Sequence, residues 1–130
     1  MSLAFDTSIL IALERNDKYI MKKLEDLSIQ FPLTPQLPFF SYFEFLVGIK
    51  LRRPKNQENT ILFFNRFKIL HTTNNLAKIL SELKIKYDQS GVPLSLSDLF
   101  IASQVIENQS ILVTRDKDFE KIEELKKIIL

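Results

Sequence analysis

Short apolar runs alternate with longer amphipathic segments along the chain. Strands are predicted at 3–5, 29–34, 67–70, 110–114 and 127–130. Helices are predicted directly after residue 6 and near 18–28, 41–51, 57–66, 75–88, 97–108 and 117–125. The clearest strand, 110–114, is apolar, β-branched and bounded by polar residues, which is typical of a strand buried on both faces. Because strands alternate with helices, the pattern predicts an α/β fold with a mostly parallel central sheet.

The size and composition of the chain are those of an ordinary globular protein. Its 130 residues suffice for one core, so a single domain over residues 1–130 is predicted. Hydrophobic residues make up 45% and charged residues 26%, which argues against disorder. The longest nearly apolar run, 38–49, is well short of the roughly 18 residues that cross a membrane. Residues 1–6 lack a basic region and an apolar signal core, so we expect a cytoplasmic protein with no membrane partner.

The rare residue types exclude several classes of active site. The absence of cysteine excludes disulfide scaffolds, zinc ribbons, iron–sulfur clusters and cysteine nucleophiles. One histidine, His71, excludes a multi-histidine zinc site and disfavours a Ser-His-Asp triad. Hydrolytic chemistry would therefore depend mainly on carboxylates, hydroxyls, lysines or a metal bound by oxygen. The net charge of +2 does not by itself indicate a nucleic-acid binder, although an acidic pocket in a basic surround would suit a polyanionic substrate.

Two acidic side chains follow the predicted strands at the point where each strand ends. Asp6 directly follows the first strand, and Asp116 follows the strand 110–114 by two residues, with Asp118 two residues further on. Ligands of parallel sheets bind beyond the carboxyl ends of the strands, so these acids are predicted to face the binding crevice. The alternative is that Asp6 and Asp116 only cap the helices that follow them, as aspartate often does.

Asp98 lies in the first turn of the predicted helix 97–108, which Ser95 or Ser97 is predicted to cap. It falls on the same stripe as the apolar residues Ile101 and Ala102, so its side chain is predicted to point inward or along the rim of the sheet. A favourable interaction with the helix dipole, worth about 0.3–1 kcal/mol, is the alternative explanation. That alternative accounts for an acid in the first turn, but not for an acid on the buried face.

Glu44 interrupts the strongly apolar stretch 39–47. On a helix it aligns with Val47 and Gly48, so the carboxylate is predicted to face the interior or a cleft, where an unpaired charge costs several kcal/mol. An internal salt bridge to lysine or arginine is the alternative. Gly48, one turn later, is predicted to let another backbone element approach this face.

These acids point to a metal site if they meet in space. Clustered carboxylates repel one another unless they are protonated or bridged by a cation. Oxygen ligands favour hard ions such as Mg²⁺ or Mn²⁺. Such an ion retains water and binds phosphate oxygens, so phosphodiester hydrolysis is the chemistry that the pattern favours.

Four short motifs, in order and spacing, resemble those of PIN domains over essentially the whole chain. They are Asp6-Thr7-Ser8, Glu44 with Gly48, Asp98 at the start of an apolar helix, and the segment from Thr114 to Phe119. The first departs from the usual Asp-Thr-Asn, because Ser8 stands in place of asparagine. The length and layout resemble those of VapC-type toxins of toxin–antitoxin pairs.

The resemblance implies a three-layer α/β/α fold and a Mg²⁺- or Mn²⁺-dependent endoribonuclease. It also implies an RNA substrate, a cognate antitoxin that inhibits the toxin, and a homodimer or higher oligomer. The residues that match the acidic quartet, which is both catalytic and metal-binding in the family, are Asp6, Glu44, Asp98 and Asp116. The residues that match supporting positions are Asp118, Thr114, Thr7 and Ser8.

Basic and aromatic residues offer weaker candidates for RNA contact. Lys50, Arg52 and Arg53 lie at a predicted helix end and are candidates for binding RNA phosphates, although cations are also favoured there by the helix dipole. Arg115, inside the fourth motif, is a candidate either for phosphate contact or for neutralising the adjacent acids. The aromatic residues of 31–43 are expected in the core or at a partner surface more than in base stacking.

Two other functions compete with the nuclease. A degenerate PIN-like module that only binds protein or RNA is disfavoured, because all four quartet positions retain acids. A phospho-receiver or aspartate-based phosphatase is disfavoured because the first strand ends in Asp6-Thr7-Ser8, which supplies one acid where those classes need two.

Overall fold

The computed structural model describes residues 1–52 and 55–130. Its strands are β1 Leu3–Phe5, β2 Gln36–Leu37, β3 Lys68–Ile69, β4 Ile111–Thr114 and β5 Lys127–Ile129. They form one five-stranded sheet in the order β3-β2-β1-β4-β5, and every neighbouring pair is parallel. The parallel sheet predicted from the alternating pattern is therefore confirmed.

Helices cover both faces of this sheet. They are α1 Thr7–Glu14, α2 Lys18–Gln30, α3 Phe39–Arg52, α4 Gln57–Phe64, α5 Asn74–Gln89 and α6 Leu96–Glu107. A short 3₁₀ helix, Lys117–Lys121, follows β4. No helix in the described ranges combines the length and apolarity needed to cross a membrane.

Side chains alternate along β1 and divide the core into two layers. Leu3 and Phe5 pack with α1, α2 and the middle of α3, whereas Ala4 packs with α5 and α6. Successive residues of a strand point to opposite faces, so a strand buried on both faces needs helices on both sides. The three-layer α/β/α architecture implied by the family resemblance is confirmed.

The register of the two central strands, β1 and β4, determines which of their polar side chains lie next to each other at the carboxyl ends of the strands. Phe5 of β1 is paired with Val113 of β4, and the Asp6 N–H donates to the Val113 carbonyl at 3.1 Å. The next residues along the two strands, Asp6 and Thr114, therefore lie side by side at the carboxyl edge of the sheet.

The strand predicted at 29–34 is wrong. Helix α2 continues to Gln30, and the strand begins at Gln36, after Pro35. Two of the apolar residues that suggested a strand do not reach the core, since Ile29 is 82% exposed and Leu33 is 55% exposed, whereas Phe31 packs against the core from the end of α2. The predicted helix 117–125 is also shorter than expected, because only Lys117–Lys121 is helical. The other predicted elements lie within about two residues of those observed.

Candidate functional site

Asp6 is a buried carboxylate held by hydroxyl groups. Only 5% of the residue is exposed, and its Oδ2 accepts hydrogen bonds from Thr114 Oγ1 at 2.7 Å and from Ser8 Oγ at 3.2 Å. It occupies the N-cap position of α1 but makes no side-chain capping hydrogen bond, so capping does not explain it. Burial raises the pKa of Asp6, and the charge of Asp116 raises it further.

The loop after β4 carries two further acids. Thr114 Oγ1 accepts from the Asp116 N–H at 3.0 Å, and Asp116 Oδ1 accepts from the Asp118 N–H at 2.9 Å. Asp116 therefore does cap the 3₁₀ helix, as one interpretation of the sequence held. The cap uses one carboxylate oxygen, Oδ1. Thr114 connects this loop directly to Asp6, which lies 108 residues away in the sequence.

Asp98 joins these acids from helix α6. Ser95 caps the helix by accepting from the Asp98 N–H at 3.1 Å, which places the Asp98 side chain in the first turn. Carboxylate oxygens of Asp98, Asp116 and Asp118 all lie within 4.8 Å of one another. Burial, and then the charges of Asp116, Asp6 and Asp118, raise the pKa of Asp98 to about 6. The acids predicted at the two strand ends and on this helix therefore share one electrostatic environment.

Glu44 is not one of the three acids whose oxygens lie within 4.8 Å of one another, and it is linked to Asp6 through α1. It is partly buried on α3, and its Oε1 accepts a hydrogen bond from Thr7 Oγ1 at 2.9 Å. Thr7 is the neighbour of Asp6 in the chain, so the second motif is tied to the first. No lysine or arginine in 1–52 or 55–130 forms a salt bridge with Glu44, which leaves the internal salt bridge without support.

The predicted close approach of a backbone element to Gly48 is wrong. Apart from the neighbouring residues and the backbone of its own helix, the nearest described atom to a Cβ placed at Gly48 would be the guanidinium Nη2 of Arg52, at 4.0 Å. Within the described ranges, no other backbone segment therefore comes within 4 Å of this position on α3.

The acidic cluster has little compensating positive charge. Asp118 pairs with Lys121 at 3.3 Å on the surface. Within the part of the chain that the structure describes, Asp6, Asp98 and Asp116 form no salt bridge with lysine or arginine. Carboxylates left in this state favour either protonation or a bound cation.

The basic candidates differ in the contacts of their side chains. Arg115 Nη1 pairs with Asp17 at 3.2 Å, and its backbone N–H donates to Ser8 Oγ at 3.1 Å, so its side chain does not neutralise the adjacent acids. Arg52 contacts Glu14 at 3.4 Å. Lys50 is exposed on the last turn of α3. Arg53 lies outside the described residues.

The donor set fits a hard divalent cation. Its members are oxygen atoms only, they come from clustered carboxylates, and burial and mutual repulsion raise the pKa values of Asp6 and Asp98. Mg²⁺ and Mn²⁺ prefer such ligands, and a bound cation would relieve the repulsion between the carboxylates.

Sequence reasoning missed two residues around this site. Asp17, the N-cap of α2, holds the side chain of Arg115, and no local pattern indicates that contact. Gln104 is fully buried on α6 although it is polar. Its place three residues after Ile101, on the buried stripe of the helix, was a signal that could have identified it.

Solved structures with a similar fold cover nearly the whole chain. VapBC2 from Rickettsia felis, bound to a DNA fragment from its promoter, has a TM-score of 0.83 at 23% identity over 99% of this chain and 98% of that chain. A toxin–antitoxin complex from Klebsiella pneumoniae has a TM-score of 0.77 at 26% identity over 95% of each chain. VapBC-1 from nontypeable Haemophilus influenzae has a TM-score of 0.78 at 23% identity over 99% of this chain and 98% of that chain.

The family assignment comes from a sequence match. No curated protein sequence matches the chain significantly. The family model of the PIN domain, in contrast, matches residues 3–125. The match spans almost every element of the sheet and both helical layers, and the chain belongs to the PIN domain family.

Proposed function

We propose that this protein is a Mg²⁺- or Mn²⁺-dependent endoribonuclease that acts as the toxin of a type II toxin–antitoxin pair. The observation that carries the proposal is the convergence of acids from separate segments at the carboxyl edge of the sheet, with carboxylate oxygens of three of them within 4.8 Å of one another. Membership of the PIN domain family supports nuclease chemistry at this edge. The layout also supports a single PIN-like domain over residues 1–130.

The proposed catalytic and metal-binding residues are Asp6, Glu44, Asp98 and Asp116. When bound there, a divalent cation would supply Lewis-acid stabilisation of the phosphate and lower the pKa of the attacking water. Asp98, with its pKa raised to about 6, would lose its residual proton when the cation binds. Asp118 extends the same acidic surface toward solvent.

The hydroxyl groups around the acids have orienting roles in this proposal. Thr114 and Ser8 both donate to one oxygen of Asp6, which leaves its other oxygen available as a ligand. Thr7 donates to Oε1 of Glu44 and leaves Oε2 available in the same way. Groups that hold ligands in one orientation typically change metal affinity or activity by about 10- to 100-fold when they are removed.

The RNA is proposed to approach along basic residues at the end of α3 and in the loop after β4. Lys50 and Arg52 lie in the last turn of α3, the helix that carries Glu44. Arg53, the next residue in the sequence, is a further candidate that lies outside the described residues. Arg115 is adjacent to Asp116, and its side chain is 45% exposed although it is paired with Asp17. Phosphate contacts of this kind strengthen binding without reading sequence, and added salt weakens them.

Two apolar surfaces support the proposed partners. A groove of about 380 Å³ between α2 and the region after α4 could accept an antitoxin segment; the apolar residues that line it are Phe5, Leu13, Met21, Leu24, Pro35, Phe63 and Phe67. The outer face of α3 exposes an apolar stripe that could pair with a second copy; its members are Phe39, Phe43, Val47 and Leu51. The similarity to toxin–antitoxin complexes supports an antitoxin partner, and the proposed site of action is the cytoplasm.

The proposal is tested by cleavage of a labelled RNA by the purified protein. Cleavage should require Mg²⁺ or Mn²⁺, stop on addition of a chelator, and be lost in Asp6→Asn while the variant retains its fold by circular dichroism. Expression should inhibit growth, and co-expression of the product of the neighbouring gene should relieve the inhibition. Cleavage that persists without metal, or binding of RNA or protein without any cleavage, would contradict the proposal; the second result would favour the degenerate module.

A further inference from the structure

Glu44 and Asp98 lie on different helices, so a shared site requires that α3 and α6 keep one relative position. The two helices contact each other. We propose that Gln104, a residue of α6, is a positioning residue. Its hydrogen bond holds the start of α3 against α6 and thereby determines the position of Glu44 relative to the acidic cluster. The inference rests on the proposed nuclease function, which it deepens.

The side chain of Gln104 bridges three segments that are far apart in sequence. The residue has no exposed surface. Its Oε1 accepts the backbone N–H of Phe39 at 2.6 Å, and its Nε2 donates to the carbonyl oxygen of His71 at 3.1 Å. Phe39 is the first residue of α3, and His71 lies just after β3 at the carboxyl edge of the sheet. One amide group thus connects α6, α3 and the strand edge.

The hydrogen bonds of Gln104 are directional, unlike the packing around it. The first N–H groups of a helix have no partner within the helix, and the amide oxygen of Gln104 satisfies one of them from outside. A buried amide is strongly unfavourable unless it is hydrogen-bonded, so Gln104 is stable only when α3 sits at the observed height along α6.

The hydrogen bonds of Gln104 lie only a short distance along each helix from the acids. Phe39 precedes Glu44 by five residues, or about 7.5 Å of helix, and Gln104 follows Asp98 by six residues, or about 9 Å. Between Gln104 and the acids, the rings of Phe40 on α3 and Phe100 on α6 are in contact, with their centroids 5.4 Å apart. Because a helix is stiff over this length, a shift at Phe39 would move Glu44 by a similar amount.

A matched pair of glutamine variants separates positioning from stability. Gln104→Met preserves the volume and removes both hydrogen bonds. Gln36→Met makes the same change at a residue that is 7% exposed and hydrogen-bonds Ser110 at the amino edge of the sheet, away from the acids. We expect Gln104→Met to lower kcat about 10- to 100-fold with little change in KM, and Gln36→Met to leave both nearly unchanged. Equal losses of kcat in the two variants would overturn the inference.

A second pair of variants tests the same hydrogen bond from α3, in case Gln104→Met does not fold. Phe39→Pro removes the N–H that Gln104 accepts, and proline is well tolerated at the first position of a helix. Phe39→Ala removes the same ring, which is 45% exposed, but retains the N–H. We expect the proline variant to lose kcat as Gln104→Met does, and the alanine variant to retain it. Equal activity in the two would overturn the inference.

A double-mutant cycle on Mn²⁺ affinity makes the test independent of activity. By calorimetry, Gln104→Met should weaken Mn²⁺ binding about tenfold in the wild-type background and much less when Glu44→Gln is already present, because both changes act on one interaction. Unchanged Mn²⁺ affinity in Gln104→Met, or the same weakening in both backgrounds, would overturn the positioning role. A wild-type protein that binds Mn²⁺ but cleaves no RNA would instead overturn the proposed function.

Discussion

The two ends of the central sheet carry acidic side chains in opposite electrostatic settings. At the amino end, before β5, Glu124 accepts a hydrogen bond from the Tyr87 hydroxyl at 2.5 Å and pairs with Lys86 at 3.0 Å. At the carboxyl end, Asp98 and Asp116 approach each other, and neither pairs with any lysine or arginine among the residues described. Among the described residues, the acidic side chain at the amino end thus has a cationic partner, whereas these two acids at the carboxyl end have none.

The pKa values of Glu124 and Asp98 shift in opposite directions, in line with this difference. Burial acts to raise the pKa of Glu124, but the hydrogen bonds from Tyr87 and Lys86 lower it overall. For Asp98, burial and the neighbouring acids act together and raise the pKa to about 6. A group whose pKa is raised by burial and by like charges destabilises the fold when ionised, which is typical of a functional site and not of a stabilising ion pair.

The largest effect that we expect separates the two ends by activity. Asp98→Asn should lower RNA cleavage by at least about 100-fold, because it removes a proposed metal ligand without changing the size of the side chain. Glu124→Gln is the same chemical change at the amino end and should leave kcat nearly unchanged. Initial rates with labelled RNA at saturating Mn²⁺ test the pair; equal rates in both variants would contradict the account.

The next effect concerns metal binding. Mn²⁺ at a thousand times its dissociation constant should stabilise the wild-type protein by about 4 kcal/mol, which differential scanning calorimetry would record as a higher Tm. Asp98→Asn should lose most of this stabilisation, whereas Glu124→Gln should retain it. A wild-type Tm that does not respond to Mn²⁺ would contradict the proposed site.

The pH dependence of the metal-free protein should have opposite signs at the two ends. The pKa of Asp98 is raised on folding from 3.8 to about 6, so its contribution to stability is fully present below pH 3.8 and is lost as the pH rises through about 6. The pKa of Glu124 is lowered, so its contribution is present above its unfolded value and is lost on acidification. Asp98→Asn should therefore raise the metal-free Tm at pH 7.5 more than at pH 5. A gain in Tm that does not depend on pH would contradict the assignment.

The smallest effect that we expect concerns only the amino end of the sheet, where Glu124 is paired. Tyr87→Phe removes a hydroxyl that donates to Glu124 and accepts the Glu123 N–H at 2.9 Å. We expect a loss of about 1–3 kcal/mol in the free energy of unfolding, measured with urea, and no change in RNA cleavage. A loss of cleavage beyond the loss of folded protein would show that the two ends are coupled.

The sequence predicted the parts of this comparison that depend on local pattern. The burial of 111–114 followed from its apolar, β-branched residues, and the partly buried position of Asp98 agrees with the inward or rim placement that helical spacing predicted. The parallel order of strands then brought Asp6 and Asp116 to one edge. A serine cap of α6, by Ser95 or Ser97, was also predicted, and the structure shows that Ser95 forms it.

The sequence could not predict features that depend on contacts between distant segments. The strand was misplaced at 29–34 because exposed apolar residues such as Ile29 mimic a strand pattern. The hydrogen bond between Thr7 and Glu44 depends on how α1 packs against α3, and the burial of Gln104 depends on where α3 begins.

The most direct test of the central claim is a crystal structure of the protein grown with Mn²⁺, with data collected at the manganese absorption edge. The account predicts an anomalous difference peak bonded to carboxylate oxygens of Asp6, Asp98 and Asp116, with Glu44 turned toward it. Carboxylates that remain without a peak at saturating Mn²⁺, or a peak located only at other residues, would contradict it.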